Sequence, residues 1–295
     1  MTVSFAGKVA IVTGAGAGLG RCHALELARR GASVVVNDLG GSVDGSGGSS
    51  DAAKKVVAEI EAMGGKAIAN GASVADRAGA ASIVRDAVAA FGTVDILINN
   101  AGVLRDKSFK KMELDDLDLV VKVHLLGSAY VTHAAWPIML EKGYGRIVMT
   151  TSSSGLYGNF GQANYGAAKL GLVGLMNTLK LEGARSNVHV NTIAPIAATR
   201  MTEGLGIPPE LFEQLKPELV TPAVLYLASE QAPTGVILEA GAGYYAKAQI
   251  VEGRGAKLGP VATVEDVALR WEEICDMGQA TPLTQGSDVT RKIFT

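Results

Sequence analysis

Short Val/Ile-rich runs alternate with longer helical patterns along most of the 295-residue chain, and this rhythm limits the fold more than any other feature. A strand, a crossover helix and a second parallel strand make a βαβ unit, and repeating it builds a parallel sheet with helices on both faces. The strand candidates are Lys8 to Thr13, Ser33 to Asp38, Lys66 to Ala69, Val94 to Asn99, Gly145 to Ser152, Val188 to Ile193 and Val236 to Glu239. Several are apolar almost throughout, as strands covered on both faces must be. Helical stretches fall between them at Leu19 to Arg30, Asp51 to Met63 and Asp76 to Phe91, each stopped by glycine, followed by Asp115 to Lys142 and Tyr165 to Gly183. The fold class expected is α/β, a doubly wound parallel sheet with helices on both faces.

Two segments depart from the rhythm. Gly40 to Ser50 reads as a flexible loop, and because the βα alternation resumes at once it is not a domain boundary. Residues from about 255 to 295 lie beyond the last strand and hold one helical stretch, Thr263 to Met277, with Trp271 and Ile274. The expectation is a single domain, with a core of about 5–254 and a C-terminal extension of about 255–295.

Charge narrows the partners. With 27 Lys+Arg against 29 Asp+Glu the net charge is −2, which argues against disorder and against non-specific nucleic-acid binding. Two cysteines, Cys22 and Cys275, cannot build a disulfide framework and show no metal-ligand spacing. No apolar run reaches the ~18 residues that cross a bilayer, the first residues read as a strand and not a signal peptide, and KIFT is not a peroxisomal address. The expectation is a cytoplasmic protein with no metal, no nucleic acid and no membrane span.

The first strand runs into Thr13-Gly14-Ala15-Gly16-Ala17-Gly18-Leu19-Gly20, which opens the first helix. Glycines let a backbone turn sharply and approach a pyrophosphate, whose charge is favoured at a helix N-terminus. Alone, such a turn is equally a tight βα connection. Its strand, turn and helix order makes Gly14, Gly16, Gly18, Leu19 and Gly20 a candidate phosphate site in a Rossmann-type fold. Asp38 ends the second strand, 18 residues after Gly20. A carboxylate there can accept from both ribose hydroxyls of an adenosine and repels a 2′-phosphate, which selects NAD over NADP. Asn99-Asn100-Ala101-Gly102 follows the fourth strand at the same carboxyl edge, where Asn100, Ala101 and Gly102 can line a cofactor crevice or simply form a loop.

Tyr165 and Lys169 are spaced i, i+4 and share one helix face. An ammonium near a phenol favours phenolate and lowers its pKa from about 10, which suits a general base for an alcohol. Ser152 stands 13 residues upstream at the end of a strand, where its hydroxyl can hold a substrate oxygen. His124, on an apolar helical stretch, reads on its own as a packed core histidine.

In this order, TGAGAGLG, NNAG, Ser152 and YGAAK resemble the short-chain dehydrogenase/reductase family over most of the chain. VVVNDLGG, NNAGVLRDKSF, VHLLGSAYVTHAAWP, GRIVMTTSSSGLYGNFGQANYGAAKLGL and NTIAPIAATRMTE are similar to its (3R)-hydroxyacyl-CoA dehydrogenase subgroup, which forms one part of peroxisomal multifunctional enzymes of type 2. The 40–50 loop and VEDVALRWEEICD share that likeness, and the chain has no room for the other parts of such enzymes, so a stand-alone dehydrogenase is expected. The resemblance implies Ser152, Tyr165 and Lys169 as catalytic residues, Gly14, Gly18 and Gly20 as phosphate-loop glycines and Asp38 as the NAD-selecting acid. It also implies Thr199 as a nicotinamide-carboxamide contact, although Ile196 stands where a glycine is usual. A further catalytic Asn of the wider family falls at His124, whose role is open between proton relay and architecture. The acid that often contacts adenine is replaced by Ala72, with Ser73 next.

The expected reaction is NAD-dependent oxidation of a (3R)-hydroxyacyl-CoA to the 3-oxoacyl-CoA. Arg105, Lys107, Lys110 and Lys111 form a basic cluster that either attracts CoA phosphates or is a solvated face. Alternatives are a 17β-hydroxysteroid or sterol-thioester dehydrogenase, with Leu205, Phe212 and Leu215 in a substrate lid, a 3-oxoacyl reductase of fatty-acid synthesis, and a non-catalytic nucleotide sensor. A homodimer or homotetramer is implied too, and Leu172, Leu175, Met176 and Leu179 look like more apolar surface than one sheet face needs.

Overall fold

The computed structural model describes residues 2–198 and 208–294. The chain has two compact units, 1–247 and 248–295. In the first, Val9–Thr13 (β1) is buried at every position, followed by Gly18–Arg29 (α1), Ser33–Asn37 (β2), Asp51–Ala62 (α2), Lys66–Asn70 (β3), Arg77–Phe91 (α3) and Ile96–Asn99 (β4). Leu114–Val121 (α4) continues through a π-helical turn, Lys122–Leu126, into Gly127–Lys142 (α5). The chain goes on through Gly145–Thr150 (β5), Ser153–Tyr157 (α6), Ala163–Glu182 (α7), Val188–Pro195 (β6), Pro209–Phe212 (α8), Thr221–Leu227 (α9), Ile237–Gly241 (β7) and Tyr244–Ala248 (β8).

The strands form one sheet in the order β3-β2-β1-β4-β5-β6-β7-β8. β1 pairs in parallel with both β2 and β4, so the order reverses between β1 and β4. In an open α/β sheet the crevice at such a reversal, beyond the carboxyl ends of the strands, is where a ligand binds. Register keeps those ends level: Thr13 lies beside Asn37, Asn37 beside Asn70, and Asn99 beside Met149.

The core explains the unbroken apolar runs. Val12, Val34, Val36, Ile96, Ile98 and Val148 are fully buried, each worth about 1.5–3 kcal/mol of transfer free energy. At the opposite, amino-terminal end Arg146 is buried too, its guanidinium donating to the carbonyls of Ser229 and Asn187 and lying 4.4 Å from the Tyr144 ring centroid. Helix ends follow local chemistry: the Asp76 carboxylate accepts from Gly79 N at 2.7 Å to start α3, and Gly92 at φ 82° stops it.

On α7, Leu172 and Met176 are core residues and Leu175 and Leu179 are half-buried, so they are not a spare apolar face. The large apolar side chains exposed on that helix are Leu170 and Leu181.

In the second unit Val251–Glu252 (β9) pairs antiparallel with Thr281–Pro282 (β10). Val264–Leu269 (α10) starts from a capping box between Thr263 and Asp266, Trp271–Ile274 (α11) follows, and Gly286–Phe294 (α12) ends the unit. The Lys292 ammonium sits 2.8 Å from the Glu252 carboxylate.

Candidate active site

Four loops converge beyond the carboxyl ends of β1, β2, β3 and β4 around a cleft of about 530 Å³. Its wall includes Gly14, Gly18, Leu19, Asp38, Ala72, Ser73, Asn100, Ala101, Gly102 and Val103. Gly14 has φ +64°, and a Cβ on it would lie 2.7 Å from Ala101 Cα. A Cβ on Gly20 would lie 2.3 Å from the Gly14 carbonyl oxygen, so α1 starts flush against the turn. These glycines form a close-walled cradle at a helix N-terminus, where backbone N–H groups and the helix dipole favour phosphate.

Asp38 is placed to do two jobs. One carboxylate oxygen accepts from Gly16 N at 2.7 Å and the other from Gly40 N at 2.6 Å, which fixes the acid in the cleft wall. A carboxylate has about four acceptor sites, so capacity for ribose hydroxyls is left. The 40–50 loop, expected to be flexible, is a set of bonded turns. Ser42 N donates to the Ser46 carbonyl, Leu104 N to that of Val43, and Gly41, Ser42, Val43 and Gly45 line the cleft.

The NNAG loop is tied directly to the glycine turn. Asn100 Nδ2 donates to the carbonyls of Thr13 and Gly14, both at 3.0 Å. Thr13 was not singled out from the sequence; a β-branched hydroxyl as the last strand residue before the glycines was the available signal.

Ser152, Tyr165 and Lys169 come together beside this wall, though none lines the cleft itself. Ser152 is the N-cap of α6, and its hydroxyl acts on the Tyr165 phenol in the direction that favours phenolate. Lys169, one turn along α7, is 3% exposed; its ammonium donates to the Thr150 carbonyl at 2.5 Å and sits 5.3 Å from the Tyr165 ring centroid. A Cβ on Gly155 would lie 2.8 Å from Lys169 Cβ, so α6 packs on α7 only because that position is bare. His124 joins this group to the cleft, touching Tyr165 on one side and Gly102 and Val103 on the other.

The electrostatics correct one expectation. The phenol is not drawn down: burial pushes Tyr165 up to about 12, with Ser152 lowering it and Asp106 raising it. Burial also pushes the Lys169 ammonium down to about 7. Both groups have lost their water, and for each that loss is the largest influence.

The sequence model of the short chain dehydrogenase family matches residues 8–206. The chain belongs to that family. A short-chain type dehydrogenase/reductase of Mycobacterium tuberculosis is 53% identical over 92% of this chain and 96% of its own length. The structure of full-length peroxisomal multifunctional enzyme type 2 from Drosophila melanogaster has TM-score 0.84 and 43% identity, covering 99% of this chain and 49% of that one. This short-chain dehydrogenase therefore spans about half of that longer relative. A 7α-hydroxysteroid dehydrogenase complexed with NADH and a 7-oxo bile acid has TM-score 0.73 and 30% identity over 81% of this chain and 95% of that one.

In this short-chain dehydrogenase the basic cluster splits. Arg105 and Lys107 face the Asp116 carboxylate at 3.4 and 3.1 Å, while Lys110 and Lys111 are exposed on a short turn, 109–111, beside exposed Phe109. Gln162 donates to the Asp106 carboxylate at 2.6 Å, a contact of the rim that no motif announced. Phe212, the last residue of α8, and Leu215 just beyond it are half-buried. Thr199 and Leu205 lie outside the described residues.

Proposed function

We propose that this short-chain dehydrogenase oxidises a (3R)-hydroxyacyl-CoA to the 3-oxoacyl-CoA with NAD. The observation that carries the reading is the grouping of Ser152, Tyr165 and Lys169 beside a glycine-walled cleft that holds Asp38. The likeness to multifunctional enzyme type 2 supplies the substrate class.

The residues present fit NAD. Gly14, Gly18 and Gly20 would take its pyrophosphate, Asp38 its adenosine ribose, and Asn100, Ala101 and Gly102 the wall on the way to Tyr165. Lys169 would grip the nicotinamide ribose, and Thr199 is assigned to the carboxamide. When bound, NAD supplies the hydride acceptor. Ser152 holds the substrate oxygen through its hydroxyl. Tyr165 takes the hydroxyl proton, and Lys169 completes a pair that can be one proton short at neutral pH, which makes it a base for the alcohol.

The chain is one catalytic domain, with a core of about 5–254 and a C-terminal extension of about 255–295. A homodimer or homotetramer is supported by the exposed Leu170 and Leu181 on α7. Among the described residues no helix is long and apolar enough to cross a membrane. The cytoplasm is the proposed compartment, resting on two free thiols, and imaging of a tagged chain tests it against the peroxisome.

The test of function is turnover with NAD and NADP against (3R)- and (3S)-hydroxyacyl-CoA of several chain lengths and a 17β-hydroxysteroid. The expected result is NAD-dependent turnover of the (3R)-thioester alone. Turnover confined to the steroid, or to NADP, overturns the reading.

A further inference from the structure

The rod over residues 114–142 breaks its helical rhythm at Lys122–Leu126, and the residue that this π-turn buries is His124, 1% exposed. Isolated π-turns within α-helices occur frequently at functional sites. The His124 and Tyr165 rings meet edge to face, with centroids 5.1 Å apart and planes at 87°. On the opposite side the fit is closer still: a Cβ on Gly102 would lie 2.3 Å from His124 Cε1. The imidazole is thus held between the wall of the nucleotide cleft and the reactive phenol.

We propose that His124 is a positioning residue for Tyr165 and not a carrier of the substrate's proton. A ring that relays a proton must receive it at one nitrogen and release it at the other. His124 Nε2 is committed to the Val103 backbone, 3.1 Å from its N and 2.8 Å from its O. Nδ1 is buried and has no hydrogen-bond partner among the described residues. Burial and the nearby Lys169 ammonium keep the ring neutral, its pKa well below the ordinary histidine range. The charged groups acting at the phenol and the ring are Asp106 and Lys169, and neither is a hydrogen-bond partner of the imidazole. What remains is steric and exact in direction: the ring fixes the tilt of the phenol relative to Gly102 and shields it from water. Misplacing a reacting group by about 1 Å can cost about a hundredfold in rate.

This inference rests on the reading of Tyr165 as the reactive group. Its test compares wild type with His124→Asn, His124→Ala and, as a second route should the cavity variant not fold, Gly102→Ala, which drives a methyl into the ring from the other side. Three readouts are taken: kcat with a (3R)-hydroxyacyl-CoA, the NAD dissociation constant, and the ultraviolet tyrosinate titration with Tyr165→Phe as the blank. In the His124 variants kcat falls about tenfold or more while the NAD constant moves by less than about threefold. In His124→Ala the Tyr165 phenol, held near 12 in wild type, titrates about one pH unit lower as water reaches it. Gly102→Ala lowers kcat similarly. Unchanged kcat with only a lower melting temperature overturns the proposal in favour of packing alone. Loss of a limb of the pH–rate profile in His124→Asn, with the tyrosinate titration unmoved, overturns it in favour of proton transfer. If wild type turns over no hydroxyacyl-CoA, the substrate reading fails, and the titration, which needs no substrate, still decides the role of His124.

Discussion

Thr13 and Asn100 grip each other across the point where the strand order reverses. The Thr13 hydroxyl accepts from the backbone N–H of Asn100 at 3.0 Å and of Ala101 at 3.1 Å, and the Asn100 side chain donates back to the Thr13 carbonyl at 3.0 Å. One residue ends β1 and the other follows β4, so the phosphate turn and the NNAG wall cannot move apart without breaking these bonds together.

Thr13→Val therefore leaves two backbone donors without their acceptor at a half-buried site, a loss of about 1–3 kcal/mol. NAD should bind roughly tenfold more weakly or worse, measured by calorimetry, with the melting temperature lowered as well. NAD affinity equal to wild type would show that the two loops are held by something else.

The proton behaviour of the Tyr165 and Lys169 pair fixes a pH profile. The pair loses its first proton near 7, from the ammonium, and its second near 12, from the phenol. A pair short of one proton can accept the substrate's, so oxidation should rise about tenfold per pH unit below 7 and level off above it. Lys169→Met moves that limb toward the tyrosine range, leaving the rate still climbing beyond pH ~9. Tyr165→Phe keeps NAD affinity and loses most turnover at every pH.

His23 makes the fold acid-sensitive. It is fully buried, its Nδ1 lies 2.9 Å from the Thr221 hydroxyl, and burial pushes its pKa from 6.5 down to about 3. The folded pKa lies below the unfolded one, so between these values the unfolded chain binds the extra proton. The contribution is whole above 6.5 and is lost as pH falls toward 3, at up to about 1.4 kcal/mol per pH unit. Denaturant melts of wild type and His23→Gln across that range check it, the variant losing much of the slope.

Arg105 and Lys107 are already paired with Asp116, so the proposed attraction for CoA phosphates falls to Lys110 and Lys111. Reversing both to Glu should raise the KM for an acyl-CoA several-fold at low ionic strength and leave kcat close to wild type. The difference should shrink in salt, as screening predicts. A KM that stays put at low salt removes these residues from the substrate site.

The alternation of strands and helices was legible because burial on both faces leaves a mark on every residue: Val34, Val35 and Val36 are apolar with no pause, and the ends of the seven expected strands lie within two residues of the observed ones, β5 stopping at Thr150 where Ser152 was expected. Edge strand β8 was not legible. Tyr244 and Tyr245 are exposed, so no apolar run announces it. At the site, residue types with rare geometry could be read directly, as with Gly14, Asp38 and the Tyr165 and Lys169 pair. What could not be read depends on neighbours distant in sequence. The role of Gly102 needs His124 beside it, and the order in the 40–50 loop needs Leu104 and Arg105, whose backbone and side chain bond to Val43 and Asp44. The dominance of desolvation at Tyr165 likewise follows from burial that spacing along a helix cannot report.

The π-turn also limits which length changes the chain can survive. Asp116, Val120, His124, Ser128 and Thr132 are all buried and follow one another at steps of four. On a regular α-helix each such step overshoots a full revolution by about 40°, so the row would wind off the inner face within three steps. The extra residue between 122 and 126 takes back about one residue's rotation and resets the phase. Side chains in that turn other than His124 are open to exchange, but deleting any one residue swings half of a long helix out of step with the other half. Insertions and deletions should therefore be rarer there than substitutions, even at its solvent-facing positions.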